Sequence, residues 1–188
     1  YLLADEETRQ AVLIDPVLEQ VERDLALIRE LDLVLVHALD THVHADHVTA
    51  LGTLRERTGC KTVVSERAGT GCPDILVKHG DLVRFGAHAL EVRETPGHTN
   101  GCLSFVLADH TMAFTGDALL IRGTGRTDFQ QGSPEALYDS ITTELLTLPD
   151  ACLLYPAHDY KGRTVTTVAE EKAHNPRVGG GKSKAQFV

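Results

Sequence analysis

Short apolar runs alternate with longer amphipathic segments along the first third of the chain. Residues 11–15 predict a strand, and apolar residues at helical spacing predict a helix over residues 17–31. Residues 33–38 form a continuous apolar run of strand length, which is typical of a strand in the interior of a sheet. A polar segment over residues 39–47 follows, and the pattern then predicts a helix over residues 48–57.

The middle of the chain predicts mainly β-structure. Residues 61–65 form a short predicted strand, and residues 67–78, with two glycines and a proline, are predicted to be a loop with little regular structure. Further strands are predicted over residues 82–85, 89–94, 103–108 and 111–115.

The last part of the chain returns to helices. Ser133 is suited to cap a helix that begins at Pro134 and runs to about Leu148. A strand is predicted over residues 152–155 and a helix over residues 164–174. The mixed order of elements indicates one α/β domain in which two sheets pack together with helices outside.

Length and composition agree with a single domain over residues 1–188. Hydrophobic residues make up 42% of the chain and charged residues 24%, as in ordinary folded domains. The net charge of −9 disfavours binding to nucleic acid, which needs clustered Lys and Arg. No apolar run approaches the roughly 20 residues of a membrane span, so a membrane is not an expected partner. The chain begins without Met in a strand-like run, and we expect the domain to be truncated at both ends.

A dense group of possible metal ligands directly follows the predicted strand over residues 33–38: His42, His44, Asp46 and His47. One loop that supplies several ligands lowers the entropy cost of assembling a site. Three more ligand-type residues follow other predicted strands, beside Gly or Pro: His98, Asp117 and His158. Together these side chains predict a metal site at a sheet edge, where loops gather functional groups.

The order of these motifs resembles the metallo-β-lactamase superfamily from the first strand to His158. The resemblance rests on His-x-His-x-Asp-His, followed by Gly-His-Thr, Thr-Gly-Asp and a late His. It implies an αββα sandwich, with two mixed β-sheets flanked by helices and the metal at one edge between the sheets. The scaffold does not fix the reaction, because several chemistries share it.

Two branches of this superfamily remain open on ligand types alone. In glyoxalase II-like hydrolases all seven residues bind two metals, and a bridging hydroxide attacks a glutathione thioester. In persulfide dioxygenases one iron is held by two His and one carboxylate. Residues 115–132 resemble the persulfide dioxygenase signature, as do residues 158–163 and 175–177, although Thr124 stands where relatives often have Cys.

The resemblance to persulfide dioxygenases implies a role for each candidate residue. The metal ligands are His42, His98 and Asp117, an arrangement typical of non-haem Fe(II) oxygenases because it leaves about three coordination positions open. Four residues are expected to orient these ligands and metal-bound waters: His44, Asp46, His47 and His158. Tyr160 and Arg177 are expected to line a glutathione site, since a guanidinium can bind a carboxylate through two parallel hydrogen bonds.

The implied cofactor is Fe(II), one per chain, and the implied substrates are glutathione persulfide and O2. The products would be sulfite and glutathione, with water consumed. Arg126 and Asp128 are expected to brace the long loop through an ion pair. A homodimer is a further expectation, in the cytoplasm of a bacterium or in the mitochondrial matrix. The alternative is a binuclear glyoxalase II-like hydrolase of glutathione thioesters.

Overall fold

Two mixed β-sheets pack face to face in the computed structural model, which describes residues 1–69 and 71–188. The five-stranded sheet contains, in spatial order, β1 (Leu2–Ala4), β2 (Gln10–Ile14), β3 (Val34–Leu39), β4 (Lys61–Ser65) and β5 (Ile75–Val77). β1 pairs antiparallel with β2, and the remaining neighbours pair parallel.

The second sheet has six strands and is mainly antiparallel. Its strands are β6 (Leu82–Phe85), β7 (His88–Glu94), β8 (Leu103–Leu107), β9 (Met112–Gly116), β12 (Leu153–Pro156) and β13 (Thr166–Thr167). The spatial order is β13-β12-β9-β8-β7-β6, and β9 and β12 are its parallel pair. A separate two-stranded ribbon is formed by β10 (Leu119–Leu120) and β11 (Gly123–Thr124).

Helices cover the outer faces of both sheets. They are α1 (Val21–Glu30) after a 3-10 turn at Leu18–Gln20, α2 (Leu51–Thr58), α3 (Pro134–Ser140) continued by a π-helical turn at Ile141–Leu145, α4 (Val168–His174) and α5 (Lys184–Phe187). Among the described helices none has the length and apolar character needed to cross a membrane.

Three apolar layers hold the sandwich together. The outer layer of the first sheet packs on α1 and α2 through residues such as Leu25 and Leu54. The layer between the sheets includes Leu90 and Phe105, which are completely buried. The third layer joins the second sheet to α3 and α4 around residues such as Leu154. This order of layers confirms the predicted αββα sandwich.

The predicted loop over residues 67–78 is wrong in part, because it contains β5. Val63 pairs with Ile75 and Ser65 with Val77, so the short apolar run extends the parallel sheet by one strand. Val77 is buried against the inner layer, which explains why this run is ordered despite the glycines before it. The part of that prediction that falls on Thr70 lies outside the described residues.

Several helix boundaries also differ from the sequence prediction. The helices predicted over residues 17–31 and 48–57 begin only at Val21 and Leu51, because Val17 and Thr49 form a β-bridge instead. The helix predicted from residue 164 begins only at Val168, because Thr167 is extended and its side chain accepts a hydrogen bond from the Glu170 N–H. The helix predicted to reach Leu148 changes to a π-helical turn after Ser140. Its start is confirmed, since the Ser133 hydroxyl accepts a hydrogen bond from the Ala136 N–H at 3.2 Å.

Strand direction brings the predicted metal ligands to one edge. β8 is antiparallel to both β7 and β9, and β12 is parallel to β9, so β7, β9 and β12 all end at the same edge. His98, Asp117 and His158 follow these three strands. The loop after β3 reaches the same edge, where the Leu103 N–H donates to the carbonyl of Thr41 at 2.8 Å.

Candidate metal centre

The structure brings His42, His98 and Asp117 together as a buried group of ligands. One ligand atom from each lies within 4.8 Å of the other two. The His98 Nε2 atom is 3.6 Å from Asp117 Oδ2, and the His42 and His98 rings are nearly perpendicular with centroids 5.1 Å apart. Two ligands of one ion at about 2.1 Å each lie about 3–4 Å apart, so this spacing fits a single bound metal ion.

The proton on His42 is placed by a relay that starts at Asp15. The Thr41 hydroxyl donates to Asp15 Oδ2 at 2.8 Å, and the Thr41 N–H donates to Oδ1 of the same carboxylate at 2.6 Å. Because the hydroxyl hydrogen is thereby used, Thr41 Oγ1 accepts from His42 Nδ1 at 2.9 Å. His42 Nε2 therefore keeps a free lone pair, which is what a metal requires.

His98 is held in the same tautomer by a different partner. Its Nδ1 atom donates to the carbonyl oxygen of Arg126 at 2.8 Å, and a carbonyl can only accept. The Nε2 atom is left with its lone pair on the side of Asp117. Gly125 makes this contact sterically possible, since a Cβ atom there would lie 3.0 Å from the His98 ring and 2.2 Å from the Asp117 carbonyl.

Burial also keeps His42 in the form that binds metals. Burial of the ring is the largest cause that lowers the pKa of His42 to about 4, and the neighbouring His44 acts in the same direction. A buried imidazole resists protonation because the charged form loses its hydration. At neutral pH His42 is therefore an uncharged ligand.

The third candidate ligand, Asp117, is held by His158. His158 Nδ1 donates to Asp117 Oδ1 at 2.7 Å, and His158 Nε2 donates to Asp46 Oδ2 at 3.1 Å. The hydrogen bond to Asp117 is the largest cause that raises the pKa of His158 to about 9, although burial of the ring opposes it. His158 is thus an imidazolium between two carboxylates, and it leaves Asp117 Oδ2 facing His98.

His44, Asp46 and His47 form a second group of ligand atoms within 4.8 Å of one another. His44 Nε2 donates to Asp15 Oδ1 at 3.2 Å, and His47 Nδ1 donates to Asp46 Oδ2 at 3.1 Å. The opposite ring nitrogens, His44 Nδ1 and His47 Nε2, are buried and lack a protein hydrogen-bond partner within the described residues. An unpaired buried polar atom costs about 1–3 kcal/mol, so both nitrogens fit a bound water or ion.

Asp15 is a site residue that the sequence analysis missed. It follows β2 with a left-handed φ of 51°, and its carboxylate contacts both Thr41 and His44. Burial acts to raise the pKa of Asp15, but the hydrogen bond and charge of His44 outweigh it and the pKa is lowered. The available sequence signal was an acidic residue at the end of a predicted strand, directly before Pro16.

A cavity of about 240 Å³ opens beside the loop that follows β3. Its walls include His42 and His47 from that loop, Leu51 and Arg55 from α2, and Val64 from β4. The candidate ligand His42 therefore borders an open space as well as the sheet edge.

The two predicted glutathione contacts, Tyr160 and Arg177, have different surroundings in the structure. The Tyr160 ring is 82% exposed and lies parallel to the His158 ring, with centroids 6.3 Å apart. The Arg177 guanidinium lies 4.7 Å over the Phe187 ring and donates to the Phe187 carbonyl at 3.0 Å. Tyr160 thus adjoins the metal centre through His158, while the Arg177 side chain contacts α5.

The ion pair expected between Arg126 and Asp128 is present in the structure. Arg126 Nε and Nη2 donate to the two oxygens of Asp128 at 2.8 and 3.0 Å, and the guanidinium lies over the Phe129 ring. The same residue presents its backbone carbonyl to His98. The ion pair therefore braces the loop that fixes a metal ligand.

Comparison with known proteins identifies the family. The family model for the metallo-beta-lactamase superfamily matches residues 1–158. The human protein named persulfide dioxygenase ETHE1, mitochondrial, is 58% identical over 179 residues, which cover 95% of this chain and 70% of the human one. The chain belongs to the persulfide dioxygenase family of this superfamily.

Two other relatives show a higher and a lower sequence identity to this chain. The crystal structure of ETHE1 from Myxococcus xanthus is 60% identical with a TM-score of 0.96, and the match covers 100% of this chain and 82% of that one. The hydroxyacylglutathione hydrolase GloC of Haemophilus influenzae is 34% identical over 93% of this chain and 90% of its own length. The hydrolase is therefore the more distant relative.

Gly125→Ala should weaken metal binding, because the added methyl group collides with the His98 ring and the Asp117 carbonyl. We expect the metal affinity to fall by roughly 10–100-fold, as for other changes behind a ligand. Competition titration against a chelator measures it. Gly123→Ala is the matched control, since a Cβ atom there meets only Leu120 at 3.9 Å. Equal affinities in the two variants would contradict the steric role of Gly125.

His158 should give the metal-free protein a pH-dependent stability. The folded pKa of about 9 exceeds the ordinary value of about 6.5, so the stabilisation is complete below about pH 6.5 and is lost as the pH rises through 9. The difference in unfolding free energy between wild type and His158→Gln should therefore shrink over this window. Denaturant unfolding at several pH values measures it, and a constant difference would show that Asp117 and Asp46 do not hold an imidazolium.

Proposed function

We propose that this protein is a persulfide dioxygenase that converts glutathione persulfide, O2 and water to glutathione and sulfite at one non-haem Fe(II) ion per chain. The observation that carries the proposal is the identity of 58% and 60% to two proteins named ETHE1, over nearly the whole chain. The buried group of His42, His98 and Asp117 supports it, because two imidazoles and one carboxylate are the ligand set of such oxygenases.

The residues present fit an iron ion. His42 and His98 would each bind it through Nε2, because Thr41 and Arg126 occupy their Nδ1 atoms. Asp117 would bind it through Oδ2, since His158 occupies Oδ1. When bound, the ion supplies open coordination positions where O2 and a sulfur can meet.

The surrounding residues control protons and charge. His158, as an imidazolium, adds a positive charge that compensates the carboxylates of Asp46 and Asp117. The unpaired His44 Nδ1 and His47 Nε2 atoms would accept hydrogen bonds from ordered water beside the ligands. We assign His44, Asp46, His47 and His158 to orienting the ligands and water. We assign no acid or base role to any of these four residues.

Glutathione persulfide is an anion and the protein has a net charge of −9, so binding needs local attraction. Tyr160 is the exposed aromatic residue beside His158 and would contact the glutathione backbone. Arg177 would bind a glutathione carboxylate with the part of its guanidinium that does not face Phe187. Both assignments remain part of the proposal.

The second candidate function is a binuclear hydrolase of glutathione thioesters. It is favoured by the separate group of His44, Asp46 and His47, whose atoms could hold another ion, and by the 34% identity to the GloC hydrolase. Metal content, O2 uptake and thioester hydrolysis measured on one sample distinguish the two functions. About one iron per chain with O2 consumed in step with sulfite supports the dioxygenase, whereas two metals with thioester hydrolysis and no O2 uptake supports the hydrolase.

Asp117→Ala should remove iron and dioxygenase activity together, because a ligand and the partner of His158 are lost at once. Iron content by elemental analysis and O2 uptake with glutathione persulfide measure the two effects. Asp109→Ala changes a carboxylate in the exposed turn before β9 and should keep both properties. Full iron content in the Asp117 variant would refute the ligand assignment.

Arg177→Ala should raise the Michaelis constant for glutathione persulfide by roughly 10–100-fold, with a smaller effect on kcat, because one charge-assisted hydrogen bond is worth roughly 1.5–3 kcal/mol. Arg177→Lys keeps the positive charge but lacks the planar guanidinium. Its Michaelis constant should therefore lie between those of the wild type and the alanine variant. Steady-state O2 uptake gives both constants. An unchanged Michaelis constant in the alanine variant would place Arg177 outside the substrate site.

We propose that the protein acts in the cytoplasm of a bacterium or in the mitochondrial matrix. The human relative is named as mitochondrial, which supports the mitochondrial matrix as one of the two proposed compartments. A homodimer is proposed on the sequence resemblance alone.

A further inference from the structure

A fully buried carboxylate lies outside the metal centre on α4. Glu171 Oε2 accepts hydrogen bonds from the Arg122 backbone N–H at 3.0 Å and from Asn175 Nδ2 at 2.7 Å, and its Oε1 accepts from the Thr166 hydroxyl at 2.8 Å. The Arg122 guanidinium pairs with the neighbouring Glu170 instead. Glu171 is therefore held by uncharged donors, and burying a carboxylate this way is costly unless every bond is made.

Asn175 joins three segments of the chain through one buried amide. Its Nδ2 atom donates to Glu171 Oε2 and to the Gly123 carbonyl at 3.1 Å. Its Oδ1 atom accepts from the backbone N–H groups of Arg177 at 2.8 Å and Val178 at 3.3 Å. These partners fix which end of the amide points to the loop, because only the nitrogen can donate to Glu171 and to a carbonyl.

The loop that Glu171 and Asn175 hold is the one that fixes His98. Arg122 has a left-handed φ of 59°, and its N–H is the group that Glu171 accepts. Further along, the Gly125 N–H donates to the Asp117 carbonyl at 2.9 Å. The Arg126 carbonyl then accepts from His98 Nδ1. Hydrogen bonds made at the start of this loop thus set the position of the carbonyl at its end.

The chain after Arg177 packs closely against the end of α4. A Cβ atom at Gly179 would lie 2.7 Å from the Asn175 backbone nitrogen and 2.8 Å from the Glu171 carbonyl. The backbone at Gly179 therefore lies directly against the helix end that carries Glu171 and Asn175.

We infer that Glu171 and Asn175 are a positioning pair that fixes residues 122–126 behind His98, and that sets the backbone of Arg177 at the same time. Neither residue belongs to the groups of candidate metal ligands found among the described residues. The importance of placing Arg177 rests on the proposed function, whereas the positioning of His98 does not. One buried anchor thus places a metal ligand and a substrate contact relative to each other.

Asn175→Ala tests the inference without turnover. Removing the amide leaves the Gly123 carbonyl without this donor and takes one of the two donors from Glu171 Oε2. The loop over residues 122–126 should therefore shift. In the metal-free protein at about pH 8, nitrogen NMR should show His98 as a mixture of tautomers instead of the Nδ1–H form alone. The metal dissociation constant, measured by chelator competition, should rise roughly tenfold or more.

Two variants of the same network separate positioning from mere stability. Thr166→Val removes the bond to Glu171 on the side away from the loop, so it should lower the melting temperature and leave the His98 tautomer and metal affinity unchanged. Glu171→Gln can keep the loop contacts, because its new amide can donate to the Thr166 hydroxyl while that hydroxyl donates to Glu170 at 3.1 Å. It should behave like wild type in both measurements.

A single His98 tautomer and an unchanged metal affinity in Asn175→Ala would overturn the inference, whatever its melting temperature. Equal loss of affinity in Thr166→Val would overturn it too, since the effect would then follow stability alone. If Asn175→Ala does not fold, Asn175→Ser makes the same test, because serine can still cap the turn at Arg177 but is too short to reach Gly123. Both measurements stand even if the protein proves to be a hydrolase.

Discussion

The candidate metal centre depends on the positions of two protons. His42 and His98 each carry a hydrogen on Nδ1, because Thr41 and Arg126 offer only acceptors there, and each ring consequently turns an Nε2 lone pair towards Asp117. A ring in the other tautomer would present an N–H to the metal and could not bind it. The acceptors of these two hydrogen bonds are thus as much a part of the centre as its ligands.

The two acceptors are supported by separate parts of the fold. Thr41 is aligned by Asp15 at the end of β2, whereas the Arg126 carbonyl is aligned by a loop that runs from Arg122 over the second sheet. One ligand is therefore tuned from each sheet, and Asp117 completes the group with help from His158. A site between two sheets needs this double support, because neither sheet alone orients all three side chains.

The sequence predicted the ligands better than their supports. His98, Asp117 and His158 each follow a strand beside Gly or Pro, and the parallel direction of their strands makes these positions meet. Asp15 carries the same signal, since it follows β2 and precedes Pro16, but the sequence analysis did not use it. Glu171 could not be predicted in this way, because it lies within α4 and its role depends on hydrogen bonds to residues distant in the chain. The sequence prediction also missed β5, which is a strand only because β4 lies beside it.

The common direction of β7, β9 and β12 has a consequence for which parts of the chain the candidate centre requires. The ligand His98 and the carboxylate Asp117 come from strands that are aligned by β8, while His158 arrives only with β12. β7, β8 and β9 follow one another closely in the chain, whereas β12 pairs with β9 only across the segment that contains α3, which adds a loop-closure cost. A chain that ended before β12 would therefore contain all three candidate ligands and would lack the imidazole that orients Asp117.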